Sequence, residues 1–260
     1  MLKKHIVIIL SITVFSIFIG CNESFNQEVA RNINSEYSTS TTNSKTELST
    51  EITTTQSITE PTEYVPAQSY SIDVEPVLQL PEFPTGCEIT SLTTVLNHLG
   101  YDINKVDLYE DYFEKDLDGV CTFDEAFVGN PRADNGFGCY APVIFDSANK
   151  YLDSENSEYS AVNLSGSDFQ DLFEYIEKDI PVILWTTMGL RKPERKFYWT
   201  TPDGEEAWWY RGEHCVVLTG FNFKNNTITT CDPQKGVYEY QMDKFEERYN
   251  DLEKQAVVIK

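Results

Sequence analysis

The hydrophobic period of this chain changes once, near Ile180, and that change limits the fold more than any other feature. Before it, apolar residues recur at helical spacing. Cys87, Leu92, Val95, Leu96 and Leu99 form a stripe that stops at Gly100. Asn104 to Phe113, Ala141 to Tyr151 and Gly166 to Lys178 read as further helices. In the last of these, Gly166-Ser-Asp-Phe supplies the N-cap and Phe169, Leu172, Phe173 and Ile176 the apolar face. After Ile180 the pattern is that of strands. Pro181-Val-Ile-Leu-Trp185 is an unbroken apolar run, His214 to Thr219 a second strand, and Thr227 to Cys231 a third. Asn225-Asn226 is the tip between the last two, and Lys235-Gly236 turns the chain into Val237 to Tyr240. A short helix at Phe245 to Tyr249 and a strand at Ala256 to Ile259 close the chain. Helices first and antiparallel strands last predict an α+β fold. Val74 to Leu80 reads as extended, Thr122 to Tyr140 as a long loop, and residues 189–212 as a loop crowded with Trp and Tyr.

Two stretches precede this body. Lys3 and Lys4 introduce the 14 mostly apolar residues Ile6 to Ile19, too short to span a bilayer and typical of a signal peptide. Gly20-Cys21 follows at once and resembles a bacterial lipobox, with Phe18 where Leu is usual. Residues 1–21 are therefore expected to be an export signal, with Cys21 the lipidation site. The alternative is an ordinary signal peptide or uncleaved anchor with an incidental Cys. Between Glu36 and Pro61, 14 of 26 residues are Ser or Thr. Such a composition buries too little apolar surface to offset its chain entropy. Residues 22–70 are expected to be a disordered tether and residues 71–260 the folded domain. Export places that domain at the outer face of the membrane, or free as a secreted protein.

Charge narrows the partners. With 20 Lys+Arg against 42 Asp+Glu, the net charge is −22. This excludes nucleic acid, whose phosphates the chain cannot neutralise. No Cys-x-x-Cys or His-x-x-x-His spacing occurs, so neither a metal nor a cofactor is expected. A monomer is expected. Cys121, Cys139, Cys215 and Cys231 allow three full pairings, and export permits disulfides.

The folded part holds only two histidines, His98 and His214. His98 lies eleven residues along the helix from Cys87, about 16 Å away, and reads as a half-buried helix-end residue. His214 opens a strand, and Asp232 ends the next. If these pair around Asn225-Asn226, the two lie opposite within a residue or two, and the carboxylate can fix the imidazole tautomer. Cys87 opens a helix, where the macrodipole and unpaired N–H groups favour a thiolate and can stabilise an oxyanion. Glu88 beside it acts the other way. Cys, then His 127 residues on, then Asp is close to the spacing of papain-like peptidases.

The segments Gln79-Leu-Pro-Glu-Phe-Pro-Thr-Gly-Cys-Glu88, Ala126-Phe-Val-Gly-Asn-Pro131, Pro181-Val-Ile-Leu-Trp185, Gly212-Glu-His-Cys-Val-Val-Leu218 and Asp232-Pro233 resemble those of the peptidase-family-thirty-nine-like domain. That domain is a relative of the double-glycine-leader peptidases that process bacteriocins. The resemblance covers about residues 74 to 260. It implies a papain-like fold, Cys87 as nucleophile, His214 as base, Asp232 as its orienting group and Gln79 as an oxyanion donor. Leader peptidases are fused to transporters, which this chain lacks, so leader processing is not expected. The expected reaction is hydrolysis of a peptide or protein; the alternative is an amidase or transpeptidase that acts on cell-wall peptides with the same residues. A rival is a surface binding module on the same scaffold. Trp185, Trp208, Trp209 and Glu213 are candidate substrate contacts, because aromatic faces grip apolar or sugar groups. Packing of the aromatic loop is the equal alternative.

Overall fold

A computed structural model describes residues 67–260. The expected export signal, Cys21 and all but the end of the tether lie outside them. The elements in chain order are β1 (Ser69–Ser71), α1 (Cys87–His98), α2 (Lys105–Tyr112), β2 (Lys115–Asp116), β3 (Phe127–Val128), α3 (Ala141–Ser154) and β4 (Ala161–Asn163). A 3₁₀ turn at Phe169–Leu172 then runs into α4 (Phe173–Ile176). The second half holds β5 (Val182–Thr187), β6 (Glu194–Thr200), β7 (Glu206–Arg211), β8 (Glu213–Asn222), β9 (Thr227–Asp232), β10 (Gly236–Gln241), α5 (Met242–Asp251) and β11 (Ala256–Ile259).

One seven-stranded antiparallel sheet has the order β10-β9-β8-β5-β11-β4, with β1 paired to the far end of β8. Every residue of β5 is buried, which explains the unbroken apolar run in its sequence. The helix α1 packs against β8 and is buried from Cys87 through Leu96. Its threonines tolerate that burial because their hydroxyls bond back one turn. Thr90 Oγ1 donates to the Gly86 carbonyl at 2.7 Å and Thr93 Oγ1 to Ile89 at 2.8 Å. Asn104 caps α2, its Oδ1 accepting from the N–H of Val106 and Asp107.

Several expectations need correction. Residues 189–212 are not a loop: β6 and β7 form an antiparallel hairpin. β6 is largely exposed, and Glu206–Arg211 carries apolar residues on both faces, so neither strand shows the alternation that signals one. Gly166 to Lys178 is a 3₁₀ turn and a single α-turn rather than one helix, although Phe169, Leu172, Phe173 and Ile176 are all buried as expected. The folded chain includes β1, which begins two residues before the boundary that composition placed at Ser71. The short strands β2, β3 and β4 carry no legible signal. All five cysteines among the described residues are free.

Candidate active site

The site lies where two strands part. β9 pairs with β8 only from Asn222↔Thr227 to Val217↔Cys231, whereas β5 stays paired with β8 down to Thr187↔Glu213. The edge of β8 near Cys215 is therefore open toward β9, and the first turn of α1 fills the gap. The N–H of Cys215 donates to Cys87 Sγ at 3.4 Å, and Ser91 Oγ, one turn along α1, donates to the Cys215 carbonyl at 3.2 Å. These two bonds replace the ladder that β9 no longer provides. Gly86 permits the entry into α1: a Cβ there would stand 2.7 Å from Phe83 Cβ, and Phe83 is fully buried.

His214 and Asp232 meet across the same gap. His214 Nε2 is 2.9 Å from Asp232 Oδ1, and the two residues are 2% and 0% exposed. The pairing is diagonal, and the register shift between Leu218 and Gly220 brings Asp232 one residue closer to His214. Asp232 is a hub. Its Oδ1 also accepts the Gln234 N–H at 2.8 Å, and its Oδ2 accepts the Tyr240 hydroxyl at 2.6 Å. Lys235 Nζ lies 3.5 Å from Oδ2 and donates to the Tyr240 oxygen. Burial alone would raise the Asp232 carboxyl. The hydrogen bond and charge of His214, then the Tyr240 and Gln234 donors, outweigh it and hold the group well below the usual carboxylate range. With Nε2 so engaged, His214 Nδ1 is buried and has no partner.

The thiol differs from its expectation. Cys87 was predicted to favour the thiolate at the helix start, yet its sulfur is buried and donates to Glu88 Oε2 at 3.3 Å. Burial, then the carboxylates of Glu88 and Glu213, push the thiol well above its ordinary value. Glu88 itself is fully buried, which raises its carboxyl to about 7 against the pull of backbone N–H groups, including that of Cys139. Glu213 is raised well above the carboxylate range by burial and by Glu88. Two acids the helix-dipole argument weighed lightly or not at all thus dominate the sulfur's surroundings. Their positions 88 and 213 are far apart in sequence, so no spacing could reveal the pair.

Gln79 is brought to the site. Its N–H bonds the Pro233 carbonyl at 2.9 Å, next to Asp232, and its Nε2 donates to the Pro84 carbonyl at 2.7 Å, three residues before Cys87. Its Oε1 is buried and unpaired. The aromatic candidates fare otherwise. Trp185 is 0% exposed inside the sheet and donates from Nε1 to the Cys139 carbonyl, so it cannot touch a substrate. Trp209 is 6% exposed, stacked on Tyr140 with centroids 5.0 Å apart, and belongs to the packing beneath the hairpin. Trp208 is half-buried and lines a cavity of about 430 Å³ with Arg195, Tyr210 and Glu253, but none of Cys87, His214 or Asp232 borders that cavity. Glu213 lies beside Cys87 as described. His98 ends α1, half-buried. Tyr240 is a member of the site that sequence reading missed; only its place in an alternating strand marked it.

A helix-borne cysteine set against an antiparallel sheet that carries a His–Asp pair is the architecture of papain-like cysteine peptidases. The comparisons carry this further. Residues 71–257 match the Peptidase C39 like family, and the chain belongs to that family. It is 30% identical over 190 residues to the uncharacterized protein YvpB of Bacillus subtilis (strain 168), covering 70% of this chain and 72% of that one. The crystal structure of a Bacillus anthracis protein assigned to the C39-like peptidases superposes with a TM-score of 0.64 at 29% identity, over 74% of this chain and 97% of the other. The peptidase domain of Streptococcus ComA, a bifunctional transporter, is similar at 17% identity and a TM-score of 0.43, over 72% and 97%.

Proposed function

We propose that the chain is a cysteine peptidase in which Cys87, His214 and Asp232 act together. The observation that carries this reading is the buried His214–Asp232 pair, with Nδ1 unpartnered, on the residue directly before the amide that touches the Cys87 sulfur. This reaction requires the Cys87 sulfur to turn from Glu88 toward the imidazole. His214 Nδ1 takes the thiol proton, and the sulfur attacks the substrate carbonyl carbon. The Cys87 N–H and the Gln79 side-chain amide receive the oxyanion. His214 returns the proton to the leaving amine, leaving a thioester. Water, deprotonated by the same nitrogen, then releases the acid. Asp232 accepts a hydrogen bond from the Nε2–H throughout and keeps Nδ1 free as the base.

The N-terminal sequence supports an exported enzyme held by a lipid on Cys21 at the outer face of the membrane. Substrates are then peptides met outside the cell, whether protein or wall-derived. Mass spectrometry of the mature N-terminus tests the anchor: an acylated Cys21 supports it, and an unmodified or uncleaved terminus rejects it.

The main test uses a thiol-reactive peptidase inhibitor at neutral pH, with the labelled residue located by mass spectrometry. Selective modification of Cys87, lost in His214→Ala, is expected, together with loss of peptide hydrolysis in Cys87→Ala. Equal labelling of all cysteines, or hydrolysis that survives Cys87→Ala, rejects the assignment and favours a binding module.

A further inference from the structure

The surroundings of Cys87 pose an electrostatic problem that the reaction does not explain. Three potentially anionic groups, the Cys87 thiol and the Glu88 and Glu213 carboxyls, converge in the protein interior. The sulfur and one oxygen from each carboxyl lie within 4.8 Å of one another, and all three residues are buried. Among the described residues no Lys or Arg pairs with either acid. Glu213 is 7% exposed, and its Oε1 has no hydrogen-bond partner. A buried carboxyl oxygen without a partner costs about 1–3 kcal/mol, so its retention beside a second acid and a thiol calls for a ligand.

The donor set identifies the ligand's chemistry. One sulfur and two carboxylate oxygens form the mixed set that suits a thiophilic divalent cation of the zinc class. Ligands of such an ion stand about 2.0–2.3 Å from it, hence about 3.3–3.8 Å from one another in a tetrahedron. Cys87 Sγ and Glu88 Oε2 are already 3.3 Å apart. Glu88 is also pre-oriented. Its Oε1 accepts the Cys139 N–H at 2.9 Å, which leaves Oε2 to face the sulfur, the kind of outer support that metal ligands commonly have. Gly138 makes room for this carboxyl, since a Cβ there would fall 1.8 Å from Glu88 Oε1.

We propose that Cys87, Glu88 and Glu213 form a binding site for a divalent thiophilic cation, with zinc as the natural class of occupant. Binding exchanges the thiol proton, and any proton held by the Glu88 and Glu213 carboxyls, all released to water, for metal–sulfur and metal–oxygen bonds, and the fourth position is open to a water molecule. The cation neutralises the buried acids and gives the Glu213 carboxyl a partner. If Cys87 is the nucleophile, a consequence resting on the proposed peptidase function, occupancy also suspends turnover until the metal leaves.

Cobalt(II) alone is the probe, added to the full chain after removal of metal by a chelator. One equivalent is expected to bind with a near-ultraviolet sulfur-to-cobalt charge-transfer band. The band should vanish in Cys87→Ser, persist in Cys21→Ser and Cys121→Ser, and require at least about tenfold more cobalt in Glu213→Gln. Near-ultraviolet circular dichroism verifies that each variant is folded, and Glu213→Gln carries the test if Cys87→Ser is not. Absence of the band in the wild type, its survival in Cys87→Ser, or unchanged affinity in Glu213→Gln overturns the site. None of these readouts uses turnover. Selective, His214-dependent labelling of Cys87 without cobalt binding would reject the metal site and leave the peptidase reading intact; the reverse pattern would do the opposite.

Discussion

His214 Nε2 and Asp232 Oδ1 are 2.9 Å apart across the opening where β9 leaves β8, and both residues are buried. The pair lies beyond the end of the ladder, where the register at Val217↔Cys231 extrapolates to place Asp232 two residues from His214, so the contact is diagonal. Asp232 is held from its other side by Tyr240 and Gln234, so the geometry of the imidazole depends on three strands, β8, β9 and β10.

Replacing Asp232 separates its two contributions. Asp232→Asn keeps a side chain of the same shape but can present an N–H to His214 and lose the fixed tautomer. The Cys87-dependent hydrolysis rate should fall by about 10²–10⁴-fold with little change in fold. Asp232→Ala leaves the Tyr240 hydroxyl and His214 Nε2 buried without an acceptor, and should cost about 2–4 kcal/mol in urea unfolding. Turnover within about twofold of wild type in Asp232→Asn, set against that range, would remove Asp232 from the mechanism.

The same carboxylate makes stability depend on acid. Its value in the folded protein is depressed below its value in the unfolded chain. The unfolded state therefore binds the proton more readily. The stabilisation is complete above the ordinary Asp value and is lost as pH falls below about 4. The gap in unfolding free energy between wild type and Asp232→Asn should be full at pH 7 and narrow in acid. A gap that widens in acid would contradict the depressed value.

Gly138→Ala tests the seat of Glu88. The added methyl would overlap Glu88 Oε1, which must then leave the Cys139 N–H. Both groups are buried, so a loss of about 2–3 kcal/mol is expected. Denaturation midpoints measure it, and a change under about 0.5 kcal/mol, the scale of an ordinary surface substitution, would mean the carboxyl has room to move.

Trp185→Phe tests whether this residue is structural. Its indole N–H bonds the Cys139 carbonyl in the core, and removal leaves that oxygen unsatisfied. A loss of about 1–3 kcal/mol is expected, with the rate of inhibitor labelling at Cys87 unchanged. A stable variant with altered labelling would return Trp185 to the substrate site.

What the sequence determined on its own are the features that depend on neighbours along the chain. The helical stripe ending at Gly100, the buried run of β5, the Asn225-Asn226 tip and the turn at Gly236 follow from local period and backbone preference. The order of Cys87, His214 and Asp232 was legible too, because a hairpin converts a spacing of eighteen residues into proximity by simple counting. The tertiary structure alone decided the rest. The hairpin of β6 and β7 forms because Trp199 and Trp209 close over Phe123 and Phe137, aromatic residues from a distant loop. The environment of the thiol was decided the same way. A helix start favours a thiolate wherever it is exposed, but here burial and two acids from separate elements, Glu88 on α1 and Glu213 on β8, outweigh the helix dipole. Dielectric and charge act through space, and the sequence carries them only after the chain has folded.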